Sequence, residues 1–274
     1  MNEKNRNLVV RVVSAAVLLP GVLFLLLKGG LYSSALMGAA GAICTAEYYA
    51  ITHRERSAVV IVGVVAAFAA PLVPLFEPRH AGDWVFWGLG VFFVFAWAYY
   101  LFRGRLADAP VSVAHAITGL LFSAFGMTAL SLLRIRPDGW SWVLCALIVT
   151  WGNDTCAYFV GRLFGHRKLY PEVSPNKTWE GFAGGFVGSL VGMFVARGTF
   201  FPALSVPDCL WVGAIGGIVG PIGDLSESML KRAYQVKDSG KLIPGHGGLL
   251  DRLDALLFNT PLIFLYANFL RGNP

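Results

Sequence analysis

Residues 84–102 read WVFWGLGVFFVFAWAYYLF, a run without one charged side chain. A helix of about 20 apolar residues has the length that crosses the hydrocarbon core of a bilayer. Similar apolar runs recur along the chain, and together they predict nine spans. They fall at about 9–27, 31–51, 58–76, 84–102, 111–133, 140–161, 179–200, 208–230 and 253–270. The predicted fold is therefore all-α: a polytopic integral membrane helical bundle of about nine transmembrane helices.

The composition excludes most soluble classes of protein. Of 274 residues, 56% are hydrophobic and 14% are charged, whereas ordinary soluble domains carry roughly 25% charged residues. A mean hydropathy of +0.62 leaves too few charges to cover a water-facing surface. A soluble globular enzyme, a disordered chain and a disulfide-stapled secreted module are all excluded. The four cysteines are scattered without a CxxC pair, and we interpret them as small core residues.

The basic residues predict the orientation of the spans. The formal charge is +6, but Lys and Arg in the loops of a membrane protein set its orientation, so no nucleic-acid partner is predicted. With a cytoplasmic N-terminus, sixteen of the 22 Lys and Arg residues fall in cytoplasmic segments. The basic residues before the first apolar run are not followed by a small-residue cleavage site. An uncleaved first span is therefore predicted rather than a signal peptide.

The two halves of the chain differ in the polarity of their connections. Most predicted connections are short, but residues 162–178 and 231–252 form longer polar loops on the predicted cytoplasmic side. Nine of the sixteen acidic residues lie between positions 151 and 254. We predict an N-terminal transmembrane scaffold over 1–135 and a C-terminal transmembrane catalytic region over 136–274 that carries both loops.

The segment 223–254 combines carboxylates, cations and glycines. Asp224, Glu227, Ser228 and Lys231 recur at i, i+3, i+4 and i+7, which places them on one helical face. The loop that follows is positive, and glycines at 245, 247 and 248 let backbone N–H groups approach an anion. This chemistry is typical of a Mg²⁺–polyphosphate site. The alternative is a salt-bridged loop that touches lipid headgroups.

A second polar segment begins inside the sixth predicted span. Asp154 shares a helical face with Tyr158 and Gly161, and an ionisable group within a membrane is a candidate functional residue. The alternative is an interhelical hydrogen bond of this carboxyl group. Residues 174–178 are predicted to cap the following helix and, with Lys177, to hold a phosphate. No GxxxxGK[ST] motif is present, so the segment is not a P-loop.

Two further residues have open roles. Glu47, in the second predicted span, either faces the same cavity or has a structural partner. His246 stands between glycines, where it contacts a phosphate or shapes the loop rather than acting as a general base.

Three motifs stand out in the polar segments. The longest runs from Ser228 to Asp254 and contains Lys231-Arg232, Lys237-Asp238, His246-Gly247-Gly248 and Asp251-Arg252. The other two are Asn153-Asp154-Thr155-x-Ala157-Tyr158 and Ser174-Pro175-Asn176-Lys177-Thr178-Trp179-Glu180-Gly181. Together they resemble the motifs of the phosphatidate cytidylyltransferase (CDP-diacylglycerol synthase) family.

The resemblance implies transfer of CMP from CTP to phosphatidate, with release of pyrophosphate, for phospholipid biosynthesis. It implies Mg²⁺ as cofactor, with a second cation left open, and a multi-pass location in the bacterial inner (plasma) membrane. The active site would face the cytoplasm, with CTP, phosphatidate and the lipid bilayer as partners. Small-residue patterns in the spans leave a homodimer open.

The candidate site residues follow from the resemblance and from the chemistry of the segments. The candidate catalytic residues are Asp224, Asp251, Lys231, Lys237 and Asp154. The candidate CTP- and phosphate-binding residues are Ser174, Lys177, Thr178, Ser228, Lys231, Arg232, Lys237, His246, Gly247, Gly248 and Arg252. The candidate metal ligands are Asp224 and Asp251, with Asp154, Glu47, Glu227 and Asp254 as further candidates.

Three other functions compete with this interpretation. A CTP-dependent polyprenol or phytol kinase would share the membrane CTP site but release CDP. A CDP-alcohol phosphotransferase would need a DGxxAR-type motif, which the sequence lacks. A secondary transporter would carry its charges near the bilayer midplane and show internal repeats.

Overall fold

The computed structural model describes residue 16 and residues 18–53, 57–243 and 247–271. Within these ranges nearly all regular structure is helical, and the sheet found there has two strands. The all-α membrane fold predicted from the apolar runs is confirmed. The described chain divides into two compact units. The first unit takes its residues from Met1–Ile135 and Tyr234–Arg252, and the second from Arg136–Ala233 and Leu253–Pro274.

Seven α-helices belong to the part of the first unit that the structure describes. They are α1 (Leu18–Lys28), α2 (Gly30–Thr52), α3 (Ala58–Ala69), α4 (Val73–Phe76), α5 (Ala81–Arg103), α6 (Ala109–Leu120) and α7 (Gly126–Arg134). A 3₁₀ turn at Ala70–Leu72 joins α3 to α4, where Pro71 cannot donate a backbone hydrogen bond. A π-helical turn at Leu121–Phe125 joins α6 to α7.

In the second unit, the described residues form four α-helices and one hairpin. They are α8 (Gly139–Phe164), β1 (Lys168–Tyr170), β2 (Ser174–Thr178), α9 (Trp179–Thr199), α10 (Val206–Ala233) and α11 (Leu250–Leu265). The first residues of α11 are counted with the first unit. A π-helical turn at Tyr266–Leu270 extends α11. The two strands are antiparallel, with Lys168 opposite Thr178.

Seven helices among the described residues are long and apolar enough to cross a membrane. They are Ala58–Phe76, Ala81–Arg103, Ala109–Arg134, Gly139–Phe164, Trp179–Thr199, Val206–Ala233 and Leu250–Leu270. On α5, Val91, Leu101 and Phe102 are 70% to 82% exposed, an apolar surface that suits contact with lipid. The chain is a multi-pass membrane protein. The count of nine spans and the cytoplasmic N-terminus stay predictions, and the first predicted span begins outside the described residues.

Buried hydroxyl groups join the helices of the first unit. The Tyr49 hydroxyl on α2 donates to the Ala116 carbonyl on α6 at 2.6 Å. The Ser131 hydroxyl on α7 donates to the Pro71 carbonyl at 2.6 Å. These bonds satisfy polar groups that would be costly to leave unpaired in an apolar interior.

Glycines let α8 and α9 of the second unit approach closely. A Cβ atom on Gly185 would lie 2.9 Å from Nδ2 of Asn153, and one on Gly188 would lie 2.6 Å from Sγ of Cys156. Small residues at such a crossing allow backbones to pack without a side chain between them. The glycine pattern of α9 is therefore explained within the chain, and the homodimer stays a prediction.

Candidate active site

A pocket of about 540 Å³ lies in the second unit between α8, the hairpin, α9 and α10. Asp154 from α8, Lys177 from β2 and Asp224 from α10 line it. Nζ of Lys177 lies 2.7 Å from Oδ2 of Asp224, and both side chains are partly exposed. The Ser228 hydroxyl, one turn further along α10, donates to Oδ1 of Asp224 at 3.4 Å. Sequence segments far apart in the chain thus place a lysine and two carboxylates in one pocket.

Asp254 on α11 contributes a third carboxylate that interacts electrostatically with the charged residues of this pocket. It repels the Asp154 and Asp224 carboxylates and attracts Lys177. Carboxylate oxygens are the ligands of hard divalent cations, and Mg²⁺ usually takes only one or two of them beside substrate phosphates and water. Within the described ranges, no three His, Cys, Asp or Glu side chains stand close enough to hold one metal ion. Asp154, Asp224 and Asp254 are donors of the type that Mg²⁺ takes, and a Mg²⁺ ion at this pocket stays a prediction.

The predicted polar face of α10 is helical throughout, as its spacing indicates. One turn beyond Asp224 on α10, the buried Glu227 carboxylate forms an ion pair with Lys231, at a distance of 2.5 Å. A buried carboxylate paired in this way is costly to separate from its cation. Lys231 therefore has a structural partner in Glu227. Its contact with a phosphate stays a prediction.

The hairpin positions the residues of the second predicted phosphate-binding segment. The Thr178 hydroxyl accepts the Gly181 N–H at 3.1 Å and caps α9, which confirms the predicted helix cap. Ser174 begins β2, and Lys177 projects from the same strand into the pocket. Nε of Arg232 donates to the Val173 carbonyl at 3.2 Å. Arg232 thus holds the hairpin turn, and its predicted contact with phosphate stays a prediction.

The first unit contains a polar cluster formed by Glu47, Ser239 and Asp251. The Ser239 hydroxyl lies 3.0 Å from Oε2 of Glu47 and 3.1 Å from Oδ2 of Asp251. Oδ2 of Asp251 also accepts the backbone N–H groups of Ser239 at 3.0 Å and Gly248 at 2.8 Å. Glu47 accepts the N–H groups of the two residues after Gly248, at 3.0 and 2.8 Å. We call these three residues the Glu47–Ser239–Asp251 cluster.

The remaining candidates are placed as follows. Lys237 and Arg252 are exposed in the first unit. Gly247 has a φ of +84°, a conformation that favours glycine. The Gly248 N–H donates to Asp251, so among the described contacts the anion at this glycine is a carboxylate of the protein itself. His246 lies outside the described residues.

The candidate metal ligands divide between the two units. Asp224 lies with Asp154, Glu227 and Asp254 in the second unit, whereas Glu47 and Asp251 lie in the first. The structure describes the surroundings of each carboxylate within its own unit. One Mg²⁺ ion shared by Asp224 and Asp251 therefore stays a prediction.

Sequence reasoning missed two features of these sites. It treated 162–178 as a loop, although the alternation of apolar and polar residues in Lys168–Tyr170 is a short strand signal. It also assigned no role to Ser239, because a serine in a polar loop carries no periodic signal of its own. Only the folded chain places Ser239 between two carboxylates.

The fold and the pocket define a class: an all-α membrane protein whose second unit holds a pocket lined by a lysine and two carboxylates. The model of the cytidylyltransferase family matches residues 9–270, and the chain belongs to this family. A protein of Staphylococcus haemolyticus named phosphatidate cytidylyltransferase is 39% identical over 203 residues, which cover 73% of this chain and 77% of the relative. Proteins of the same name from Staphylococcus saprophyticus and Staphylococcus aureus are 35% and 33% identical. Each of these two alignments covers 93% of this chain and 96% of the relative.

Proposed function

We propose that this protein transfers CMP from CTP to phosphatidate and releases CDP-diacylglycerol and pyrophosphate. The observation that carries the proposal is family membership over nearly the whole chain, with relatives of that name aligned along almost their full length. The lysine–carboxylate pocket supports it, because the reaction brings together two highly charged phosphate groups. The plasma membrane is the proposed location, since the named relatives are bacterial.

The reaction needs alignment and charge neutralisation more than proton transfer. A phosphate oxygen of phosphatidate forms a bond to the α-phosphorus of CTP, and the bond from that phosphorus to the bridging oxygen of the β-phosphate breaks. Pyrophosphate leaves with the electron pair. The attacking oxygen is already anionic at neutral pH, so no strong general base is required. Positioned cations and hydrogen-bond donors then supply most of the catalysis.

The chain offers several groups for these tasks. Lys177, which lines the pocket, and Ser228, whose hydroxyl donates to Asp224, would orient a phosphate. Lys231 and Lys237 would neutralise the triphosphate and the leaving pyrophosphate. Asp224 and Asp251 would hold Mg²⁺, with Asp154 and Asp254 as further carboxylates. When bound, this ion supplies positive charge to the phosphate oxygens.

The reaction products test the proposed function directly. Purified protein in detergent receives phosphatidate, Mg²⁺ and CTP labelled on the α-phosphate, and the lipid fraction is separated by thin-layer chromatography. We expect label in a lipid of the mobility of CDP-diacylglycerol and an equal yield of pyrophosphate. Label that stays in CDP, with γ-phosphate transferred to an added polyprenol, would instead identify a kinase. Ion flux in liposomes without CTP turnover would identify a transporter.

The proposal places the active site on the cytoplasmic side of the membrane. Sixteen of 22 basic residues fall on that side of the predicted topology. In a cysteine-free background, we expect Tyr170→Cys and Lys241→Cys to resist impermeant thiol reagents in intact cells and to react after lysis. Arg79→Cys, in a predicted outer loop, should react in intact cells. Labelling of positions 170 and 241 from outside would overturn the orientation.

Lys237 is expected to serve the nucleotide. The side chain is exposed in the segment Tyr234–Arg252, so its removal leaves no buried partner unpaired. We expect Lys237→Gln to lower kcat/KM for CTP by about 10²-fold, the scale of one lost transition-state donor. Arg105→Gln, which removes an exposed charge outside the proposed site, should retain activity. Near-normal kinetics of Lys237→Gln at low CTP would assign Lys237 to the lipid surface instead.

A further inference from the structure

Glu47 is tied to a segment about 200 positions away in the chain. Its Oε1 accepts the Leu249 N–H at 3.0 Å, and its Oε2 accepts the Leu250 N–H at 2.8 Å. The Ser239 hydroxyl lies 3.0 Å from Oε2. These contacts supply a donor to each carboxylate oxygen of Glu47. A carboxylate within an apolar helix is costly unless it is paired in this way.

The geometry at the start of α11 makes this carboxylate a helix cap contributed from another helix. Leu249 precedes α11 and Leu250 begins it, so their N–H groups have no partner within the helix. A negative group at a helix N-terminus is also favoured by the helix dipole. Glu47 on α2 therefore fixes where α11 begins, and with it the position of Asp251 in the first turn.

Ser239 couples Glu47 to Asp251. The Ser239 hydroxyl oxygen lies 3.0 Å from Oε2 of Glu47 and 3.1 Å from Oδ2 of Asp251, so its single proton can be donated to either carboxylate. Ser239 is 6% exposed. A buried hydroxyl shared by two carboxylates holds both in one arrangement, because each would otherwise lose a donor.

Two glycines lie against this cluster at positions that have no room for a side chain. A Cβ atom on Gly240 would collide with the Glu47 carboxylate, and one on Gly248 would collide with the Ser239 hydroxyl. Their lack of a side chain therefore allows the backbone to pass directly over the carboxylate. Among the described contacts, the Gly248 N–H meets the Asp251 carboxylate, and the predicted contact of the glycines with a phosphate stays a prediction.

A second contact holds the beginning of the same segment. The Tyr234 hydroxyl lies 2.6 Å from Nε2 of His115 on α6, and Nδ1 of His115 lies 3.4 Å from the hydroxyl of Tyr48. Tyr48 follows Glu47 on α2. The segment Tyr234–Arg252 is thus attached to α2 and α6 near both of its ends.

We infer that Glu47 is a positioning residue for nucleotide transfer: through Ser239 and the first turn of α11 it sets the segment that carries Lys237 and Asp251. This inference rests on the proposed function for its kinetic readout. It gives α2, in the predicted scaffold half, a defined task in the reaction. It is an alternative to the role of Glu47 as a candidate metal ligand, which stays a prediction.

Glu47→Ala and Glu47→Gln distinguish positioning from metal binding. Glutamine can keep its amide oxygen at the Oε2 position, where it accepts from Leu250 and Ser239, but its NH2 group cannot accept from the Leu249 N–H, so one bond is lost. Alanine loses every contact. We expect Glu47→Ala to raise KM for CTP about tenfold and to lower kcat/KM about 10²-fold, the scale for a slightly misplaced site. We expect Glu47→Gln to lose only about threefold. Equal losses in both variants, with an altered Mg²⁺ requirement, would overturn the inference in favour of a metal ligand.

A readout without substrates separates this inference from the proposed function. Lys237 and Lys241 are exposed trypsin sites within the positioned segment. We expect Glu47→Ala to raise the rate of cleavage after these lysines at least about fivefold, with Glu47→Gln close to the unmodified protein. Cleavage after Arg103 and Arg105, between α5 and α6, should be unchanged. An unchanged rate at Lys237 and Lys241, or an equal rise at every site, would overturn the positioning role.

Ser239→Ala tests the same inference with a smaller change. It removes the bridging hydroxyl but keeps both N–H bonds to Glu47, so insertion and purification should be normal even if Glu47→Ala fails to fold. We expect an intermediate rise in both cleavage rate and KM for CTP. A Ser239→Ala protein with the kinetics and cleavage pattern of the unmodified protein would exclude the coupling through Ser239.

If the unmodified protein makes no CDP-diacylglycerol while the cleavage results hold, the proposed function fails and the structural role of Glu47 stands.

Discussion

Asp224→Asn is expected to lower kcat/KM for CTP by about 10³-fold while the protein inserts and purifies normally. Asparagine keeps the shape of the side chain and an oxygen that can accept from Lys177, whose Nζ lies 2.7 Å from Oδ2 of Asp224 in the unmodified protein. What it removes is a negative charge near Asp154 and Asp254 that would help to hold a cation beside the triphosphate of CTP and the phosphate of phosphatidate. The loss of one charge-stabilising contact in a poorly hydrated site reaches this size at its upper end. The measurement is steady-state CDP-diacylglycerol formation at varied CTP and Mg²⁺.

A double variant separates metal binding from the pairing with Lys177. If Asp224 served only to orient Lys177, then Asp224→Asn would cost nothing further in a Lys177→Gln background. We expect a further loss in that background and a changed Mg²⁺ dependence. Asp138→Asn removes an exposed carboxylate before α8 without a side-chain hydrogen bond to the helix, and it should be close to normal. An Asp224→Asn protein with substantial activity and an unchanged Mg²⁺ requirement would show that the assignment is wrong.

The parts of the fold that sequence could predict are those set by local periodicity. The apolar runs predict helices because a spanning segment must satisfy its backbone hydrogen bonds internally. The spacing of Asp224, Glu227, Ser228 and Lys231 predicts one helical face, and α10 contains all four. Thr178 caps α9 as its position before an apolar run indicates.

The contacts that organise the polar residues are not local, and for that reason the sequence did not reveal them. Glu47 lies about 200 positions from Leu249 and Leu250, and nothing in the periodicity of α2 specifies which donors it meets. The ion pair between Lys177 and Asp224 likewise joins a strand to a helix that is distant in the chain. The short β1–β2 hairpin gave too weak a signal beside the surrounding charges. Motif recognition found most of these residues, but their partners required the fold.

The surroundings of Lys231 and Lys237 in the fold determine how a variant of each residue can be interpreted. Lys231 is paired with the buried carboxylate of Glu227 at 2.5 Å, so Lys231→Gln would leave that carboxylate without its cation. A loss of activity in this variant would combine destabilisation with the loss of a phosphate contact. Lys237, which is exposed, gives the cleaner test. The position of a cation in the fold therefore decides which variant can report on the chemistry.

Asp251→Asn is the second variant for which we expect a loss of about 10³-fold. Oδ2 of Asp251 accepts from the Ser239 N–H, the Ser239 hydroxyl and the Gly248 N–H. An asparagine whose amide oxygen takes the place of Oδ2 can keep these three bonds, so the segment should stay in position. The charge that would contribute to a Mg²⁺ site is lost. We therefore expect normal trypsin cleavage after Lys237 and Lys241, together with near-complete loss of CDP-diacylglycerol formation.

Asp251→Ala completes the comparison, because it removes both the charge and the three hydrogen bonds. We expect it to be as inactive as Asp251→Asn but to show faster cleavage of the segment. Thermal stability adds a readout without turnover: Mg²⁺ should raise the Tm of the unmodified protein and of Asp108→Asn, an exposed-carboxylate control, but not of Asp251→Asn. If Asp251→Asn were active and only Asp251→Ala were impaired, Asp251 would hold the segment and bind no metal. The metal site would then have to be sought among the carboxylates of the second unit, where Asp154 and Asp254 stand beside Asp224.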